Sequence, residues 1–117
     1  MIKRKFKHKY GAVRCERDDI KFPSKLERDC YDWLQILKDQ GKIRLFLRQI
    51  PFDLPGKSKH SVDFCVFTEE NVLFVEAKGR DLAMGKLKRK QVEDLYPVDI
   101  HIAKSVSDLN KIIAKYK

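Results

Sequence analysis

Two carboxylates that could share a divalent cation, Asp63 and Glu76, and an ammonium that could steady a negative charge, Lys78, fall in one stretch, SVDFCVFTEENVLFVEAKG, from Ser61 to Gly79. It holds two runs rich in Val and Phe, Ser61 to Phe67 and Val72 to Lys78, around a polar Thr68-Glu69-Glu70-Asn71. That pattern predicts a β-hairpin. With Phe67 paired to Val72, Asp63 falls directly opposite Glu76. Side chains alternate faces along a strand, so Lys78 is expected on the same face as Glu76. Opposed residues hold their Cβ atoms about 4.5–5.5 Å apart. The hairpin is therefore expected to aim two carboxylates and an ammonium into one small volume.

The apolar residues around these charges give them meaning. Val62, Phe64, Val66, Leu73, Val75 and Ala77 are expected on the opposite face, and Cys65, Phe67, Val72 and Phe74 on the charged one. A strand pair apolar on both faces belongs in the middle of a covered sheet. Two carboxylates facing each other there repel. A divalent cation resolves that conflict, because Mg²⁺ is held by one or two carboxylates with waters and substrate phosphates. The alternative is a cross-strand Asp–Lys–Glu ion-pair cluster at a solvated sheet end.

The rest of the chain must position this hairpin. Its 117 residues suit one domain with one core, here residues 10–117 behind a basic arm at 1–9. A formal net charge of +9 points to a polyanionic partner, with nucleic acid ahead of an anionic membrane surface. No stretch reads as a membrane helix or a signal peptide. Cys15, Cys30 and Cys65 are odd in number and too far apart for a zinc knuckle, so Cys30 and Cys65 read as reduced core residues of a cytoplasmic protein. His8, His60 and His101 lack metal-ligand spacing and read as ordinary residues.

Asp18-Asp19 marks a turn in a small hairpin or extended lead-in from Tyr10 to Phe22. Ser24 and Glu27 have the spacing of a capping box that opens a helix, with an apolar stripe at Leu26, Cys30, Trp33, Leu34 and Leu37 and a stop at Gly41. Glu27 lies beside that stripe, within reach of the hairpin's charged face; cap and catalyst are compatible roles. Ile43 to Leu54 predicts one long or two broken strands, with Pro51 at an edge or bend. Gln49, polar in an apolar run, reads as a surface or sheet-end residue. Residues 55–60 read as a basic loop. After Gly79 a helix is predicted from about Leu82 to Tyr96, its apolar stripe being Leu87, Val92 and Leu95. A strand, Val98 to Ala103, and a last helix, Ser105 to Lys117, complete the chain. The expected class is α/β, a mixed central sheet with helices on both faces. Phosphate contacts are expected from Lys3, Arg4, Lys5, Lys7 and Lys9 of the arm, from Lys25, Lys57, Lys59 and Arg80, and from Lys86, Lys88, Arg89 and Lys90 of the second helix.

Asp63, then Glu76-Ala77-Lys78, after a helix bearing Glu27, resembles the PD-(D/E)XK nuclease superfamily, as does the αβββαβ order. The run KYGAVRCERDDIKFPSKLERDCYDWL from Lys9 to Leu34, with Phe22, Ser24, Lys25 and Glu27 in a Phe-x-Ser-Lys-x-Glu pattern, is similar to the start of small phage-encoded nucleases of that superfamily. The resemblance runs to about Ala103. It implies a restriction-endonuclease-like core and a DNA endonuclease, acting in a host cell and related to Holliday-junction resolvases, that leaves a 5′-phosphate. It implies Mg²⁺ or Mn²⁺ on Asp63, Glu76, the Ala77 carbonyl and Glu27, with Lys78 orienting water or stabilising charge. Val62 stands where the motif name has proline. Gln49 matches a Gln that often precedes Pro in the phage group, although here Ile50 intervenes. Ser24 and Gln49 are accessory candidates, and a homodimer acting on branched or duplex DNA is the expected assembly.

Overall fold

The computed structural model describes residues 15–116. The basic arm, with Lys3, Arg4, Lys5, Lys7 and Lys9, lies outside the described residues. In chain order the elements are β1 (Cys15–Arg17), β2 (Ile20–Phe22), α1 (Lys25–Asp39), β3 (Leu45–Leu54), β4 (Ser58–Phe67), β5 (Val72–Ala77), α2 (Ala83–Leu95), β6 (Ile100–Ala103) and α3 (Val106–Lys115). From α1 to β6 this is the expected αβββαβ order. The basic loop expected at 55–60 is shorter, because β4 already begins at Ser58.

β1 and β2 form a hairpin whose turn residues, Asp18 and Asp19, both have positive φ, 54° and 62°. Tight hairpins need this left-handed backbone, and Asp tolerates it. The Tyr31 hydroxyl donates to Asp18 Oδ2 at 3.0 Å, which pins the hairpin to α1. Ser24 caps α1: its Oγ accepts the Glu27 N–H at 3.1 Å.

The main sheet has strand order β3-β4-β5-β6, antiparallel except for the parallel β5–β6 pair. One face packs Phe64, Val66, Leu73, Val75 and Ala77 against α1 (Cys30, Tyr31, Leu34, Leu37) and α3 (Leu109, Ile113). The other packs Phe52, Leu54 and Val62 against Val92 of α2. The mixed sheet is thus covered by helices on both faces. Burying side chains of this size stabilises the fold by about 1.5–3 kcal/mol each.

Two expectations need correction. The stripe of α2 is not Leu87, Val92 and Leu95, because Leu87 and Leu95 are each 54% exposed. The buried side carries Arg89 and Val92, three positions apart. Val62 and Phe64, expected on one face of β4, pack into different clusters. Phe46 and Phe64 lie with α1, whereas Ile50, Phe52 and Val62 lie with α2. The alternation inverts at Gln49 and Asp63. Here the β3–β4 pairing skips one step, between Arg48↔Phe64 and Ile50↔Val62, without a change of register. Gln49 carries the distortion in a left-handed backbone, φ 52°.

Candidate functional site

The β4–β5 register is the expected one, running from Phe67↔Val72 to Phe64↔Val75. It stops one step short of Asp63 and Glu76. Beyond that point the strands part, and Asp63 fills the fork. Its Oδ2 accepts the backbone N–H of Ala77 at 2.9 Å. Asp63 sits between the strands, bonded to the backbone next to Glu76.

Glu27 approaches from α1. It is 2% exposed, and its Oε2 accepts from Arg48 Nη2 at 3.1 Å and from Gln49 Nε2 at 3.2 Å. The Arg48 guanidinium is stacked on Phe22, 4.5 Å from the ring centroid. Gln49 Nε2 also lies 3.4 Å from Asp63 Oδ1. The left-handed turn at Gln49 thus aims one amide at two carboxylates. Burial raises the Glu27 carboxyl above its ordinary value, and Asp63 pushes it further; Arg48 opposes both.

Glu76 faces α2. It is 1% exposed, and its Oε1 lies 3.0 Å from His60 Nε2. Its Oε2 has no hydrogen-bond partner, the closest cation being Arg89 Nε at 3.6 Å. Burial raises the Glu76 carboxyl too; His60 opposes this, Asp63 adds to it, and Arg89 opposes it. Asp63 therefore stands close enough to both buried glutamates to shift them.

Lys78 lies past the end of β5 and does not share the environment of Glu76. It lines an open hollow of about 350 Å³ with Pro23, Ser24, Leu26, Glu27, Ala77, Gly79 and Arg80. The hollow joins the N-terminal turn of α1 to the end of β5. Among the described residues the Lys78 ammonium has no ion-pair partner. Helix N-termini and free cations both favour anions.

The candidate oxygens are Oε2 of Glu76, without a hydrogen bond, and Oδ1 of Asp63, with only a long contact to Gln49; the Ala77 carbonyl is the one the resemblance adds. Such donors suit hard divalent cations. Among the described residues no three His, Cys, Asp or Glu side chains are gathered as a ready cage. A cation here would draw on two carboxylates, a carbonyl and water, which is the habit of Mg²⁺.

Among the basic residues expected to meet phosphate, Lys25, Lys57, Lys59, Arg80, Lys86 and Lys90 are exposed and Lys88 is half-buried. Arg89 is corrected: it is 7% exposed and turns inward, its Nη2 donating to Asp81 Oδ2. His60, read as ordinary, is the residue that sequence reasoning missed. His101 does pack simply, against Tyr116 with ring centroids 5.1 Å apart. Cys30 and Cys65 are free and buried, and burial pushes the Cys30 thiol up to about 12. No helix among the described residues is long and apolar enough to cross a membrane.

No curated protein and no solved structure matches the chain. One family model matches residues 7–110, nearly the whole chain, and by that match the protein belongs to the family described as Protein of unknown function (DUF1064).

Proposed function

We propose that the protein is a metal-dependent DNA endonuclease of the PD-(D/E)XK type, selective for branched DNA in the manner of a Holliday-junction resolvase. The observation that carries this reading is the fork. Asp63 is fixed by the Ala77 N–H at 2.9 Å, beside a Glu76 whose Oε2 is buried without a hydrogen bond, 3.6 Å from Arg89 Nε. In this reading Asp63 and Glu76, with the Ala77 carbonyl, hold Mg²⁺ or Mn²⁺, and Glu27 holds waters around it. Once bound, the ion supplies Lewis acidity to a phosphoryl oxygen and acidifies a water. Lys78, without an ion pair among the described residues and lining the hollow with Glu27, stabilises the negative charge that develops on the phosphorus oxygens. Ser24 keeps the first turn of α1 in place at the hollow's rim, and Gln49 spaces Glu27 from Asp63. The exposed lysines and Arg80 bind the DNA backbone. A homodimer would let each subunit cut one strand; a nicking subunit of a larger recombination or packaging complex would use the same residues.

One observation favours a second reading, a nucleic-acid-binding module without catalysis. Glu27 and Glu76 already have internal partners in Arg48, Gln49 and His60. Labelled four-way junction, linear duplex and single-stranded DNA, each with Mg²⁺, Mn²⁺ or chelator, separate these readings. Paired, metal-dependent cuts confined to the junction are expected. Cutting of every substrate would point to a general or partner-directed nuclease. Tight binding with no cutting in any metal would establish the binding module.

A further inference from the structure

Arg89 presents a puzzle. It stands 3.6 Å from Glu76 Oε2, a buried carboxylate oxygen without a hydrogen bond. An arginine–carboxylate bond normally closes to about 2.7–2.9 Å, and leaving a buried anion unsatisfied is costly. A shift of under about 1 Å would close it. Yet the guanidinium is drawn elsewhere, with Nη2 on Asp81 Oδ2. The grip is one-point, not a fork: Asp81 Oδ1 and Arg89 Nη1 are both buried and both without hydrogen-bond partners. Gly85, one turn before Arg89, lies beside both groups, at ordinary contact distance. A Cβ there would stand 3.4 Å from Arg89 Nη1 and 3.7 Å from Asp81 Oδ1. Asp81 has no capping duty to explain its place, since α2 starts after Leu82 without a side-chain cap bond.

We infer that Asp81 is a positioning residue that holds Arg89 back from Glu76 and so keeps Glu76 Oε2 open for a divalent cation. Arg89 and the cation compete for the same oxygen, and Asp81 sets the outcome. The inference rests on the proposed role of Glu76 as a metal ligand and adds a control on its affinity, seated on α2. His60 Nε2 lies 3.0 Å from the other oxygen, which opposes a turn of the carboxylate away from Arg89.

Calorimetric titration of the full chain with Mn²⁺, without DNA, tests this in wild type, Asp81→Asn, Arg89→Met and the double variant. Far-UV circular dichroism checks that each is folded. Asp81→Asn releases Arg89 onto Glu76 and is expected to weaken Mn²⁺ binding on the order of tenfold. Arg89→Met removes the competitor and is expected to bind no more weakly than wild type. The double variant should return to the Arg89→Met value. A purely structural role for Asp81 would leave the double variant as weak as Asp81→Asn, and that result overturns the inference. So does Asp81→Asn binding like wild type. Should Asp81→Asn fail to fold, Arg89→Met decides alone, and weaker binding by it overturns the inference. Wild type that binds no Mn²⁺ would remove the metal-ligand role of Glu76 as well, whereas the other failures leave that role standing.

Discussion

The two ends of the β4–β5 hairpin differ more than their sequences suggest. Near the turn, from Phe64↔Val75 to Phe67↔Val72, the strands are paired in continuous register. At the other end the pairing stops, and Asp63, Glu76 and Lys78 each take different partners. Asp63 enters the fork, Glu76 turns to His60 and Arg89, and Lys78 lines the hollow at α1. The paired end can be apolar and tightly packed because its backbone groups satisfy one another. The open end leaves a backbone N–H to be met by a side chain, which is why a carboxylate can be fixed there. One hairpin thus supplies a rigid frame and, a single residue further on, a polar site.

The strongest way to break this contrast is at the frame. Phe64 is fully buried, and Phe64→Ala should cost about 3–5 kcal/mol in a denaturant titration. Lys78→Ala should behave in the opposite way. Among the described residues the ammonium makes no ion pair and has only a longer-range charge interaction with Asp81, so the unfolding midpoint should move little. Cleavage should fall on the order of a hundredfold, read in single-turnover assays. A smaller effect is expected from Glu27 and pH. Burial and Asp63 raise its carboxyl in the folded state, so the folded chain holds that proton more tightly than the unfolded chain. The ionised group is therefore a stability cost, fully present at neutral pH and relieved as pH falls through the raised value. Wild type should gain stability relative to Glu27→Gln as pH falls from neutral into the carboxylate range, measured by urea unfolding in chelator. A constant difference would mean that Arg48 and Gln49 fully offset the burial.

The paired end was legible in the sequence because it depends on local rules. Val and Phe runs, a polar joint and period-two alternation fixed the register of the hairpin, and Ser24 announced the start of α1. The open end depends on long-range geometry. A left-handed backbone at Gln49 has no local signature, since Gln is not a residue that favours it. That single distortion inverts the alternation of β3 and β4 and separates Val62 from Phe64. Continuing the β4–β5 register would set His60 opposite Gly79, so pairing arithmetic could not bring it to Glu76. Arg89 was hidden differently. Within Lys86–Lys90 it reads as one more exposed charge, yet it lies one turn after Gly85 and three residues before the buried Val92. Weighing that inward row against Leu87 and Leu95 would have marked it, because a glycine can leave space for a guanidinium where a larger side chain would fill it.

The most direct test of the fork as a catalytic centre is Asp63→Asn on a labelled four-way junction in Mn²⁺, with binding and thermal unfolding measured alongside. Asn keeps an oxygen for the Ala77 N–H but loses the charge that would hold a cation. Cleavage should fall on the order of a thousandfold, about 4 kcal/mol of barrier, while junction affinity and the unfolding midpoint stay near wild type. Cleavage at the wild-type rate by Asp63→Asn would contradict the account.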